Sequence, residues 1–205
     1  MQTKTIILIR HAKTRSNVIE RYSGVRTDEG LSDDGIREIK IKRDTIRSIL
    51  STEPAFVISG PMKRAKETAA LLFPSTPLKI VPDLTETDFG NFEGKTFEEL
   101  GSDPDYQKWI DSGGTIPFPG GDDRSEYIAR SMDGFFEILS LSKEIGETVA
   151  VCHGGNIMAV MNSLTGGEYY DFRVKNLGGY VIKIREDDER ISVISYDRID
   201  CGSDS

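Results

Sequence analysis

Two histidines occur in the 205-residue chain, His11 and His153. Each lies at the end of a short apolar run, Thr5–Ile9 and Thr148–Cys152, that reads as a buried strand. Two further runs, Ala55–Ser59 and Leu78–Val81, also read as strands, and they are followed by Arg64 and Glu86. In open α/β sheets, ligands bind beyond the carboxyl ends of the strands. A single histidine at such a place reads as a capped or packed residue. Two of them, joined by Arg10, Arg64 and one carboxylate at matching strand ends, read as a site. Arginine forks match phosphate oxygens, and histidine is a competent covalent nucleophile. A carboxyl group can protonate a departing alkoxide. This combination suits phosphoryl transfer, with the cations balancing charge on the equatorial oxygens. Gly154 and Gly155 allow close backbone approach, and a helix beginning there points its amides at an anion.

The elements that must position these groups follow from periodicity and capping. Ser32 reads as the N-cap of a helix reaching about Ser51, with Ile36, Ile39, Ile46, Ile49 and Leu50 near the helical period. Pro61 opens a helix through Leu72. Residues 84–122 are irregular, with short helical pieces near Thr96–Leu100 and Asp105–Asp111 and a turn-rich Gly113–Gly121. They read as a lid or loop excursion. A helix from about Ser125 to Leu141 presents Ile128, Met132, Phe135, Phe136 and Leu139 on one face, and another runs from about Gly155 to Leu164. Tyr180–Arg185 and Arg190–Tyr196 alternate around an acidic turn and read as a hairpin, ahead of a frayed tail, Cys201–Ser205. The expectation is one α/β domain over residues 1–205: three layers, a mostly parallel sheet with helices on both faces, and a C-terminal antiparallel hairpin.

The residues around the site resemble a known family. Arg10-His11-Ala-Lys-Thr-Arg-Ser-Asn17 is similar to the Arg-His-Gly-x-Thr-x-x-Asn signature of the histidine phosphatase (phosphoglycerate mutase-like) superfamily. Ser59-Gly-Pro-Met-Lys-Arg64 resembles its second arginine motif, and the stretch from Leu84 through Glu86 and Gly90 to Gly94 its acid loop. Pro119-Gly-Gly121 and Val151-Cys-His153-Gly-Gly155 resemble its last two motifs, and all five occur in the family's order. The resemblance implies that His11 is phosphorylated, that Arg10, Arg64 and His153 bind the phosphate, and that Glu86 is general acid and base. It further implies support from Asn17 and the Gly154 amide, with Ser23 and Gly24 in a turn near the substrate. The chain departs from the pattern at Ala12, where glycine is usual, at Gly60, where serine is frequent, and at Asp122-Asp123, where Glu-Ser is usual. Family mutases carry a longer insertion between acid and second histidine than the 67 positions here, so the resemblance favours a phosphatase over a mutase-type enzyme. Asp88–Lys95, Pro104-x-Tyr106-x-x-Trp109 and Phe118–Gly121 are similar to α-ribazole phosphatases of cobalamin synthesis. The expected substrate is a small-molecule phosphate monoester, with neither metal nor cofactor. A non-catalytic phosphoryl-ligand binding protein is the contrasting reading, opposed by the intact His11, Glu86 and His153.

Other signals are weaker. Gly90-x-x-x-Gly94-Lys95-Thr96 has three residues between its glycines where a P-loop needs four. Cys152 lacks the arginine six positions on that a cysteine phosphatase needs; Met158 stands there. No His-x-x-x-His or paired-Asp metal motif occurs. Trp109 and Tyr106 read as packing residues or as pocket walls, the 186–189 acidic run as a solvated turn, and Lys40–Arg43 as an exposed helix face. A net charge of −8 makes nucleic acid a poor partner. Two cysteines, the lack of an 18-residue apolar stretch and a four-residue N-terminal apolar run suggest a cytoplasmic chain with no membrane partner. The sequence is silent on oligomeric state.

Overall fold

A computed structural model describes residues 2–142, 146–187 and 190–200. Its centre is a six-stranded sheet in the order β3-β2-β4-β1-β5-β6. The strands are β1 (Gln2–Arg10), β2 (Val57–Ser59), β3 (Leu78–Ile80), β4 (Glu147–Cys152), β5 (Gly179–Asp187) and β6 (Arg190–Ile199). The first four are mutually parallel, whereas β5 pairs antiparallel with β1, and β6 with β5. The register places Arg10 beside Cys152, so the residues that follow, His11 and His153, emerge side by side from neighbouring strand ends.

Both faces of the sheet are covered, which is why β1 and β4 are nearly continuous apolar runs rather than alternating ones. On one face, Ile7, Ile9, Val149 and Val151 pack against α2 (Asp33–Arg47) and α3 (Lys63–Leu72) through Ile39, Ile46, Ala65 and Leu72. On the other, Ile6, Leu8, Ala150 and Cys152 meet α6 (Arg124–Leu141) and α7 (Gly154–Thr165) through Phe135, Ile138, Ile157 and Val160. Around the site lie three short helices: α1 (Arg15–Val18), α4 (Phe97–Leu100) and α5 (Pro104–Asp111). Within 84–122, Phe92, Leu100 and Trp109 form a small core of their own, flanked by Tyr22, Phe89, Tyr106 and Phe118.

Several boundaries differ from the sequence reading. Helix α3 starts at Lys63 because Met62, not Pro61, takes the N-cap place and its carbonyl receives the Ala65 and Lys66 amides. Helix α2 ends at Arg47, and the strands of the hairpin run longer than expected. Helix α1 and a 3-10 turn at Tyr169–Phe172 are additions. The buried stripe of α6 is Tyr127, Ser131, Gly134, Phe135, Ile138 and Leu139, while Phe136 is exposed. The apolar count misplaced this face because two of its members are polar and satisfied by hydrogen bonds. Glu186 is no free solvated turn residue: it receives a 2.5 Å hydrogen bond from the buried Lys4 Nζ. Lys42 is not simply exposed but half-buried against Glu38, at 2.5 Å. The tail Cys201–Ser205 and positions 188–189 lie outside the described residues.

Gly60 is explained by the fold. A Cβ at this position would stand 2.3 Å from the Leu84 carbonyl oxygen, just ahead of the acid loop. The Gly60→Ser variant should therefore lose about 1–3 kcal/mol of stability, the usual cost of forced overpacking. Urea unfolding measures this, and a variant as stable as the parent would contradict the packing described.

Candidate active site

The end of β1 and the helix after β2 bring Arg10, His11 and Arg64 to one cavity of about 780 Å³, the loop after β3 brings Glu86 to it, and His153 lies fully buried beside His11. The imidazoles of His11 and His153 lie 5.1 Å apart, inclined at 63°. His11 Nδ1 is 2.7 Å from the Ala12 carbonyl oxygen. A carbonyl only accepts, so Nδ1 carries the hydrogen and Nε2 keeps its lone pair. The Ala12 amide in turn donates to Thr68 Oγ1 at 3.0 Å. Ala12 is fully buried there, and its extra methyl group is accommodated.

Arg64 is 1% exposed, without a carboxylate in hydrogen-bond contact. Its guanidinium donates to the carbonyls of Thr27 at 2.8 Å and of Ser23 and Gly24 at 3.2 Å. Ser23 lines the cavity, whereas Gly24 acts through this carbonyl and through its lack of a side chain, since a Cβ would stand 2.1 Å from the Thr87 oxygen. Arg10 donates from Nη1 to the Val174 carbonyl at 2.8 Å, and its Nε is buried without a partner. Both ring nitrogens of His153 are buried and unpartnered too, with Nδ1 3.8 Å from Glu86 Oε2. Orphaned buried donors are rare in folded proteins. Their convergence with two arginines and the N-terminus of α7, where Gly154 and Gly155 face the cavity, makes an anion site.

Electrostatics agree with the geometry. Burial, with Arg64 and Arg10 adding to it, holds His11 well below the usual histidine range. His153 is lowered well below it by burial, Arg64, His11 and Arg10. Burial likewise lowers Arg10 and Arg64, in each case opposed by the Glu86 charge. A dianion placed among these groups would favour the charged form of each and so oppose the lowering that burial imposes.

Glu86 Oε1 accepts from the Thr87 amide at 2.9 Å and from the Tyr127 hydroxyl at 3.0 Å. The preceding Thr85 carbonyl receives Asn156 Nδ2 at 3.0 Å, and the same nitrogen donates to Ser131 Oγ at 3.1 Å. Asn176 Nδ2 donates to the His11 carbonyl at 2.8 Å and to Asn17 Oδ1 at 3.2 Å, so Asn17 reaches His11 through Asn176. Tyr127, Asn156 and Asn176 were missed by the sequence reading. The first had a signal: Tyr127, Ser131 and Gly134 recur at helical spacing. The departure at Asp122 lies away from the imidazoles, with Asp122 accepting from the Asp88 amide at 2.9 Å and Arg130 at 2.6 Å. Asp123 caps α6. Trp109 both packs in the small core and lines the cavity. Among the described residues, no group of three or more His, Cys, Asp or Glu side chains is placed to hold a metal ion, and no helix is long and apolar enough to cross a membrane.

A family model for the histidine phosphatase superfamily, branch 1, matches residues 6–197. The chain belongs to this superfamily. Over 138 residues it is 33% identical to a bifunctional protein of Mycobacterium tuberculosis, a match covering 65% of this chain and 37% of that protein. The phosphoserine phosphatase 1 of Hydrogenobacter thermophilus is 28% identical over 204 residues, covering 96% of this chain and 92% of that one. A crystal structure of a putative α-ribazole-5′-P phosphatase from Escherichia coli superposes with a TM-score of 0.78 at 22% identity, covering 94% and 95% of the two chains. At that identity the likeness establishes the fold.

The lowered imidazoles make a pH prediction. His11 and His153 resist protonation when folded but take a proton near pH 6.5 when unfolded. Below that pH the unfolded chain binds more protons, so stability falls on acidification, by at most about 1.4 kcal/mol per pH unit for each histidine. Urea unfolding between pH 7 and pH 5.5 should show the decline, and His153→Asn should make it shallower. A slope untouched by the substitution would contradict the assignment.

Proposed function

We propose that the protein is a phosphatase that hydrolyses a small-molecule phosphate monoester through a phosphohistidine on His11, without a metal ion. The observation that carries this reading is the His11 tautomer. The Ala12 carbonyl accepts the Nδ1 hydrogen, which leaves the Nε2 lone pair for phosphorus beside the buried Arg64 and the half-buried Arg10. In the proposed first step, Nε2 bonds to phosphorus as the ester P–O bond breaks. Arg10, Arg64, His153 and the Gly154 amide take the charge of the equatorial oxygens, and Glu86 passes a proton to the departing oxygen. In the second step, Glu86 takes a proton from water, whose oxygen displaces His11 from phosphorus and releases inorganic phosphate. The cations perform the charge balancing that a divalent ion provides in other phosphoryl-transfer enzymes.

The cavity supports a substrate larger than phosphate itself. At about 780 Å³, lined by Tyr22, Phe89, Trp109, Phe118, Tyr169 and Tyr170, it offers aromatic surface to a leaving group. α-Ribazole 5′-phosphate, with its aromatic base, matches that wall better than phosphoserine does.

Two experiments test this reading. Exhaustive dialysis against chelator should leave the rate intact, and a loss restored by one divalent ion would overturn the metal-free mechanism. Glu86→Gln should slow hydrolysis of a sugar phosphate by on the order of 10²–10⁴-fold, as for a lost general acid. The same variant should keep the single-turnover phosphorylation rate with p-nitrophenyl phosphate, whose phenolate leaves unaided. Equal losses on both substrates would remove Glu86 from the acid's role.

A further inference from the structure

Helix α6 runs against the acid loop along one stripe. Tyr127 reaches the carboxylate of Glu86, and Ser131, one turn later, holds the Asn156 amide that binds the Thr85 carbonyl. Gly134, the next position of the stripe, leaves room for the loop: a Cβ there would stand 2.9 Å from Leu84 Cδ2. On the opposite side, α7 yields at Gly155, where a Cβ would stand 2.6 Å from both Glu86 Oε1 and the Tyr127 hydroxyl. The Glu86–Tyr127 pair thus fills a slot formed by two helices and closed to larger side chains. Tyr127 is 1% exposed, and its hydroxyl donates to Glu86.

We infer that Tyr127 is a positioning residue for the general acid, reserving Oε2 of Glu86 for the transferable proton and stabilising the carboxylate that remains once the proton has left. This inference rests on the reading of Glu86 as the acid. Oε1 already receives two donors, the Thr87 amide and the Tyr127 hydroxyl. The proton is therefore confined to Oε2, the oxygen on the His153 side. When the P–O bond breaks, that proton moves to the leaving oxygen and Glu86 becomes negative. The Tyr127 hydrogen bond is then charge-assisted, and hydrogen bonds to an ionised acceptor are roughly twice as strong as neutral ones. The interaction is thus stronger after proton transfer than before it, which lowers the barrier to the step. Burial and the Glu86 charge hold the Tyr127 phenol well above its usual range, so it stays a donor throughout the working pH.

Tyr127→Phe tests the assignment by removing one oxygen and leaving the ring, which packs beneath Arg130. With a sugar phosphate, single-turnover phosphorylation of His11 should slow by about tenfold, the difference between a hydrogen bond to an ionised acceptor and one to a neutral acceptor. With p-nitrophenyl phosphate the same step should stay within about twofold. The alkaline limb of the sugar-phosphate pH profile should move to higher pH, because the carboxylate loses a donor. The other groups whose charge or dipole bears on Glu86 are His153, Arg10, Arg64, Tyr169 and Cys152, all unchanged in this variant. Equal slowing of both substrates, no slowing of either, or a limb that stays in place or moves to lower pH would overturn the role of Tyr127. If the parent enzyme formed no phosphohistidine with either substrate, the functional reading itself would fall instead.

Discussion

Two guanidinium groups and two imidazoles are buried together at the ends of adjacent parallel strands, and the rest of the site is arranged around that constraint. Taking a cation out of water costs several kcal/mol even after relaxation. For Arg64 the cost is offset by three carbonyls and for Arg10 by one, none of which cancels the charge. Among the described residues, Glu86 is the carboxylate that acts on both arginines and lies beside His153. The cluster therefore stays electropositive, and both imidazoles are held neutral first by burial and then by the neighbouring guanidinium charge. In the proposed mechanism a neutral His11 is what nucleophilic attack requires, so the arginines proposed to bind the phosphoryl group also help to keep it unprotonated.

The loops depend on this cluster in turn. The carbonyls that hold Arg64 belong to residues 23–27, and that segment is fixed by Glu93, which accepts from the Gly24 and Arg26 amides and the Thr27 hydroxyl at 2.9–3.2 Å. Arg26 forks onto Asp88 at 2.8 and 3.0 Å, and the Asp88 amide donates to Asp122. The excursion that carries Glu86 is thereby tied to the segment whose carbonyls hold Arg64. The aromatic core around Phe92 and Trp109 stiffens the far side of the cavity. In the proposed mechanism, binding of the phosphoryl group and placement of the leaving group are thus coupled through one set of contacts.

The layers of the fold and the principal side chains were legible in the sequence. Apolar runs of β-branched residues ending in His11 and His153 gave the central strands, and glycine after His153 gave the helix that meets the anion. The resemblance supplied Asn17, Ser23, Gly24 and Gly154, and the structure gives each a physical position: Asn17 works through Asn176, and Gly24 through its carbonyl. What was not legible depends on contacts between segments distant in the chain. Tyr127 and Ser131 sit on the buried face of α6 although they are polar, so a count of apolar residues placed that face about a quarter of a turn away, toward Phe136. Gly60 is a departure from the family pattern whose cause, the Leu84 carbonyl, lies 24 positions on. Glu186 binds Lys4 across the sheet, a pairing that a local reading of an acidic turn does not contain.

The central claim is that His11 becomes covalently phosphorylated. Rapid acid-free quenching of the enzyme with ³²P-labelled substrate, followed by proteolysis and mass spectrometry, tests it directly. The account predicts label on the peptide carrying His11, stable to base and lost in acid, formed faster than phosphate is released and absent from His11→Ala. Phosphate released at a steady rate with no label on His11, or activity undiminished in His11→Ala, would contradict it.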